Sequence, residues 1–106
     1  MKRITEHGEI WQAHTDKTRP VVIVSRDDLR AVRDRATVAP ITSTIRDAPS
    51  FVILDHQNGL QHMSAINCDE LNTLDKSRLT RRLGRLSPAK IAQLDAALRF
   101  ALQIDE

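Results

Sequence analysis

The sequence predicts an α+β fold: a small, strongly curved antiparallel sheet or partly open barrel with one C-terminal amphipathic helix. Three observations carry that reading. Five or six short runs have the composition or alternation of strands, and the C-terminal stretch switches to helical period. The 106 residues leave room for one domain, 1–106, and little else. No helix-length segment separates the first two strands, so a parallel crossover is excluded there.

Each element has a local reason. Gly8-Glu9-Ile10-Trp11-Gln12-Ala13 opens on a turn residue and alternates apolar with polar, as a half-buried strand does. Pro20-Val21-Val22-Ile23-Val24-Ser25 is a β-branched run, readable as a central strand buried on both faces. Pro20 has no N–H for a ladder, so it is expected at the first position of that strand. Thr37-Val38-Ala39-Pro40-Ile41-Thr42 is a third strand, which its internal proline demotes to an edge or a bulge. Ser50 to Leu54 is a fourth, Asn58-Gly59 a turn, and Met63 to Cys68 an alternating fifth. A short sixth falls near Arg82-Leu83-Gly84-Arg85-Leu86, and Asp75 to Leu79 can form one short turn. Ser87 then suits an N-cap and Pro88 the first helical position. Beyond them Ile91, Leu94, Leu98 and Ala101/Leu102 recur at three- and four-residue spacing, one apolar stripe over about four turns.

Composition narrows the function. With 41% hydrophobic residues the chain can fill one core, and wholesale disorder is not expected. No apolar run approaches the roughly 20 residues that span a bilayer, and the start has no apolar signal region, so a cytoplasmic protein is expected. The lone Cys68 gives neither an internal disulfide nor a zinc spacing and reads as a buried cysteine. His7, His14, His56 and His62 are scattered, without metal-ligand spacing, and no phosphate-loop, dinucleotide or nucleophile-elbow motif occurs. The net charge is only +2, yet Lys76, Arg78, Arg81, Arg82, Arg85 and Lys90 follow one another with no acid between them. That strip is either a solvated face or a track for a phosphate backbone.

The chemistry concentrates at two strand ends. Thr18-Arg19-Pro20 stands at the mouth of the most apolar strand, and Thr42-Ser43-Thr44 just past the third. If those strands are neighbours, a guanidinium and several hydroxyls converge. An arginine fork matches the oxygens of a phosphodiester, and RNA supplies its own nucleophile in the 2′-hydroxyl. A metal-free ribonuclease needs little more than alignment and charge stabilisation. The plainer alternatives are a surface arginine and ordinary turn hydroxyls. Trp11, within a strand, reads as core rather than as a stacking platform.

These segments resemble the MazF/PemK family of toxin endoribonucleases. The resemblance rests on Gly8-Glu9-Ile10-Trp11, Thr18-Arg19-Pro20 with its apolar run, and Ala39-Pro40-Ile41-Thr42-Ser43-Thr44. In matching order follow Gly59-Leu60 with Ser64, Cys68-Asp69-Glu70, Asn72 to Leu79, and Leu83 to Ser87 before the terminal helix. It spans residues 8 to about 103. The resemblance implies the toxin of a type II toxin–antitoxin system, cutting single-stranded RNA at selected sequences without metal or cofactor. Products would be a 2′,3′-cyclic phosphate and a 5′-hydroxyl. It further implies an SH3-like curved sheet, a homodimer, an RNA groove near its interface, and a cognate antitoxin laid over that groove. Arg19 maps onto the family arginine that acts as acid/base or transition-state stabiliser, and Thr42 onto the phosphate-positioning threonine. Ser43, Thr44, Ser64, His14, Arg78, Arg81 and Arg82 are then candidate RNA contacts, and no residue is expected to bind metal.

The chain departs from the family pattern in two places. Only Gln12 to Thr18 separate Trp11 from Arg19, with Asp16 as the counterpart of a carboxylate that has a role in some members. Asp27-Asp28-Leu29-Arg30 replaces an asparagine common after the second strand. His14 is either an extra base or a strand-end surface histidine. Two other functions fit the fold: a CcdB-like toxin that binds DNA gyrase without catalysis, and an inactive relative that binds only antitoxin. The acidic end Ile104-Asp105-Glu106, together with Arg19 and Thr42, argues against the gyrase binder.

Overall fold

A computed structural model describes residues 3–55 and 63–104. Along the chain run β1 (Glu9–His14), β2 (Thr18–Ile23), β3 (Arg35–Thr42), β4 (Phe51–Leu54), β5 (Ser64–Asn67), β6 (Asn72–Asp75), a 3₁₀ turn (Lys76–Arg78), β7 (Leu79–Arg85) and α1 (Pro88–Leu102). The strands form one open antiparallel sheet in the order β4-β5-β3-β2-β1-β7, with β6 also paired to β3. The Asn58-Gly59 turn and the Gly59-Leu60 motif lie outside the described residues.

Among the described residues seven strands form where five or six are expected. The additional one, β6, is mostly exposed, so it carries no apolar alternation to announce it. Pro20 is not the first residue of β2 but the third, opposite Gln12. The β2–β3 ladder begins only at Val21↔Pro40, so on that side its missing N–H costs no ladder bond. Pro40 likewise sits inside a central strand rather than on an edge. Along the far side of β3, β6 pairs Arg35 to Val38 and β5 pairs Ile41 and Thr42. Ala39 and Pro40 therefore face the gap where the chain turns from β5 to β6.

The sheet buries both faces. On one, Ile10, Val22, Ala39, Val52, Leu54 and Ile66 pack with Cys68, Leu86 and the helix residues Leu94 and Ala97. The helix thus covers a sheet face rather than an edge. Each fully buried Leu or Ile there contributes about 2 kcal/mol of apolar burial. The helix starts as read: the Ser87 hydroxyl accepts from the Lys90 N–H at 3.2 Å and Pro88 occupies the first turn. It ends at Gln103, which takes left-handed dihedrals (φ 55°). Leu102, placed on the apolar stripe by its spacing, is instead exposed. On the other face Trp11, Ala13, Val21, Ile23, Ala36, Val38 and Leu79 form a second, smaller core. Two register shifts along β1–β7 mark where the sheet bends around it.

Gly8 ties the helix side together. Its N–H donates to Ile23 O at 2.8 Å and its carbonyl accepts from Leu86 at 2.9 Å. A Cβ there would lie 2.9 Å from the Ile91 side chain, and its φ of +89° suits only glycine.

Candidate active site

The register of β2 against β3 sets Val21 opposite Pro40. Continued by two residues, it sets Arg19 opposite Thr42, with both side chains on the face of the smaller core. The two residues line one cavity of ≈ 390 Å³, together with Pro40, Ile41, Thr44, Arg46, Phe51, Asn67, Asp69 and Glu70. The groove runs on past Arg19 along β3 and β6, lined by Asp16, Thr15, Val38, Asn72 and Leu74. At its far end Thr15 and Leu74 meet Arg35, Thr73 and Arg78. The gap in the ladder beside Pro40 makes this groove: where β5 breaks away, no strand covers that stretch of β3.

Local bonds orient the polar groups. Thr42 Oγ1 accepts the Thr44 N–H at 3.1 Å, which leaves its own proton to donate outward. Asp16 accepts from the Thr15 hydroxyl and the Lys17 N–H, each at 3.0 Å. The Thr15 bond first, then backbone N–H bonds and finally the Arg19 charge, hold its carboxyl below the ordinary aspartate range. An arginine and a carboxylate held below its ordinary range thus stand together in the groove.

Arg19, Thr42, Thr44 and Arg78 line the groove. Ser43 is exposed next to it, and Ser64 is 7% exposed, its hydroxyl without a hydrogen-bond partner. His14 bonds Thr18 Oγ1 at 2.9 Å, and the two residues pair on the opposite face of the hairpin from Ala13 and Arg19. Arg81 is exposed on β7. Arg82 reaches the buried Glu9 at 2.8 Å, where Trp11 Nε1 also donates, at 3.2 Å. Arg85 pairs with Glu6 at 3.1 Å, and Lys76, only 3% exposed, binds Asp28 at 2.6 Å. Much of the apparent basic strip is therefore structural. Cys68 is buried, and burial, aided by the charge of Asp69, pushes its thiol up to about 11, so it is no nucleophile. Among the described residues no group of three or more His, Cys, Asp or Glu could hold a metal ion. No helix among them is long and apolar enough to cross a membrane.

Sequence reading missed the opposite wall, Asn67, Asp69 and Glu70, together with Arg46 and Arg35. The Cys68-Asp69-Glu70 motif contains part of it, but only the gap beside Pro40 reveals which way it faces.

A curved antiparallel sheet covered by one C-terminal helix, with an arginine and a threonine lining one polar groove, has the donors to bind a phosphodiester. Comparison with known proteins makes the class particular. The family model for the PemK-like, MazF-like toxin of type II toxin–antitoxin systems matches residues 6–102, and the chain belongs to this family. It is 37% identical over 93 residues to endoribonuclease MazF3 of Mycobacterium tuberculosis, covering 88% of this chain and 90% of that one. It is 35% identical over 112 residues to endoribonuclease MazF9 of the same species, covering 92% and 95%. Among solved structures, the Mycobacterium tuberculosis toxin MazF-mt6 superposes with a TM-score of 0.87 at 36% identity, over 92% of this chain and 99% of that one.

Proposed function

We propose that this protein is the toxin of a type II toxin–antitoxin pair and acts as an endoribonuclease on single-stranded RNA. The observation that carries the reading is that Arg19 and Thr42, two residues beyond the end of the β2–β3 ladder, line one cavity in a groove open along β3. In the proposed reaction the RNA 2′-oxygen attacks the adjacent phosphorus while the bond from phosphorus to the 5′-oxygen breaks. The 2′-hydroxyl loses a proton, the 5′-oxygen gains one, and a 2′,3′-cyclic phosphate remains. Arg19 binds the non-bridging oxygens as negative charge builds on them. Thr42 donates its free hydroxyl proton to the same phosphate, and Thr44 fixes that hydroxyl's direction. Asp16 supplies a counter-charge near the guanidinium. Arg78 supports the backbone at the groove's far end. The protein works as a homodimer and is silenced by a cognate antitoxin that occupies the groove.

The deciding experiment incubates purified protein with mixed single-stranded RNA in excess EDTA and maps new ends. Cleavage yielding 5′-hydroxyl and 2′,3′-cyclic phosphate ends at a recurring short motif is expected. Intact RNA under these conditions and with added divalent ions would refute the reading.

A further inference from the structure

The groove that receives the RNA has two unlike walls. Arg19 on β2 and Thr42 at the end of β3 stand on one side; on the other side of β3, at the end of β5 and in the turn after it, stand Asn67, Asp69 and Glu70. Phosphates are drawn to the first wall and repelled by the second, so a strand lying in the groove must turn its bases toward the β5–β6 turn. That turn is rigidly held. Ser50, 2% exposed, donates its hydroxyl to Asp69 Oδ2 at 2.6 Å, and its carbonyl accepts the Cys68 N–H at 2.9 Å. The Asp69 N–H donates to Asn67 Oδ1 at 2.9 Å, which leaves the Asn67 amide N–H₂ as a donor toward the groove. The wall therefore offers a fixed acceptor beside a fixed donor, set close to the proposed scissile phosphate.

We propose that Asp69, positioned by Ser50, is a specificity-determining residue. It accepts a hydrogen bond from the exocyclic amino group of a base flanking the cleaved bond, and so selects amino-bearing bases (A, C or G) over uracil. An aspartate accepting from a base amino group is a known readout pairing. A carboxylate buried under a base that lacks the donor is left unpaired, which is the form of recognition that discriminates most sharply. This inference rests on the ribonuclease reading above and deepens it.

The test uses the full-length protein and short RNAs carrying its mapped motif. At each position flanking the cut, the base is exchanged for an analogue lacking only the exocyclic amino group, such as inosine for guanosine or purine riboside for adenosine. Wild-type kcat/KM is expected to fall by about tenfold or more at one position. Asp69→Ala, which removes the acceptor altogether, should lose that discrimination, cleaving both RNAs at the rate wild type shows on the amino-free one. Ser50→Ala should lose part of it without slowing the amino-free RNA, which a merely destabilised protein could not do. Unchanged discrimination in Asp69→Ala, or a wild-type enzyme indifferent to amino removal at every position, overturns the inference while cleavage itself stands. A wild-type protein that cuts no RNA overturns the ribonuclease reading, and this inference with it.

Discussion

At the scale of single residues, the proposed mechanism gives Arg19 and Thr42 different work, and the difference is measurable. The guanidinium gives two parallel donors to one phosphate and keeps its charge at any working pH, whereas the threonine gives one neutral donor. Arg19→Ala is expected to lower kcat/KM for RNA cleavage by about 100-fold or more while the fold persists, because the side chain is exposed and outside both cores. Arg19→Lys should recover only part of the loss, since an ammonium restores charge but not the fork. Thr42→Val keeps the shape and removes the donor, so a smaller loss, about tenfold, is expected in the same assay. Wild-type rates in Arg19→Ala, with an unchanged circular dichroism spectrum, would remove the mechanism. This pair was legible in the sequence because both residues sit at strand ends flanked by β-branched runs, where position along the chain nearly fixes position in the sheet. The opposite wall was not legible. Asn67, Asp69 and Glu70 reach the groove only because β5 breaks off β3 at Pro40, and strand neighbourhood is not written in local pattern.

At the scale of elements, the 26–34 loop is fastened by one ion pair that sequence pattern disguised. Lys76 belongs to an apparently solvated basic strip, yet it is buried, and its ammonium meets Asp28 at 2.6 Å. Asp28 also accepts the Val32 and Arg33 N–H groups at 3.0 and 2.9 Å, and its own N–H bonds Thr5 O at 2.8 Å. The loop is thereby pinned to the 3₁₀ turn that leads into β7. The Lys76 bond first, then the backbone N–H bonds, lower the Asp28 carboxyl far below the ordinary aspartate value. The sign follows by linkage. A carboxyl depressed in the folded state stabilises it above the unfolded pKa of about 4, and that contribution drains away as pH falls toward the folded value. Lys76→Met strands a carboxylate that is only 10% exposed, so the melting temperature at pH 7 is expected to drop by about 10 °C or more. The gap between wild type and variant should narrow steadily below about pH 4, because protonated Asp28 no longer needs its partner. Thermal melts from pH 7 to 3 check both statements, and a gap independent of pH would mean the ion pair is not the source. Elements with a local chemical cause, such as the helix with its Ser87 cap and the β-branched β2, were readable. Those defined by tertiary partners, β6 and the loop staple, were not.

At the scale of the whole molecule, the small net charge of +2 acquires a sharper meaning once the ion pairs are drawn. Lys76, Arg82 and Arg85 are committed to Asp28, Glu9 and Glu6. The cations left along the groove are Arg19, Arg46 and Arg78, since Arg35 is paired with Asp75 at 3.3 Å, and Asp16, Asp69 and Glu70 stand among them. Only two or three phosphates can then be neutralised per site. For single strands each neutralised phosphate contributes about −0.7 to the slope of log K against log salt, so a slope near −1.5 to −2 is expected. Between about 50 and 200 mM salt, affinity should therefore fall roughly tenfold, far less than for a strongly basic binder. The slope also separates groove from scaffold. Arg78→Gln should make it shallower by about 0.7, one phosphate's worth, because that guanidinium lines the far end of the groove. Arg85→Gln should leave it unchanged, because Arg85 already spends its charge on Glu6. Fluorescence anisotropy with a non-cleavable 2′-deoxy-substituted oligonucleotide at four or more salt concentrations gives all three slopes. Equal shallowing in both variants would mean that the whole basic strip tracks the backbone, and that the groove drawn here is not the path of the RNA.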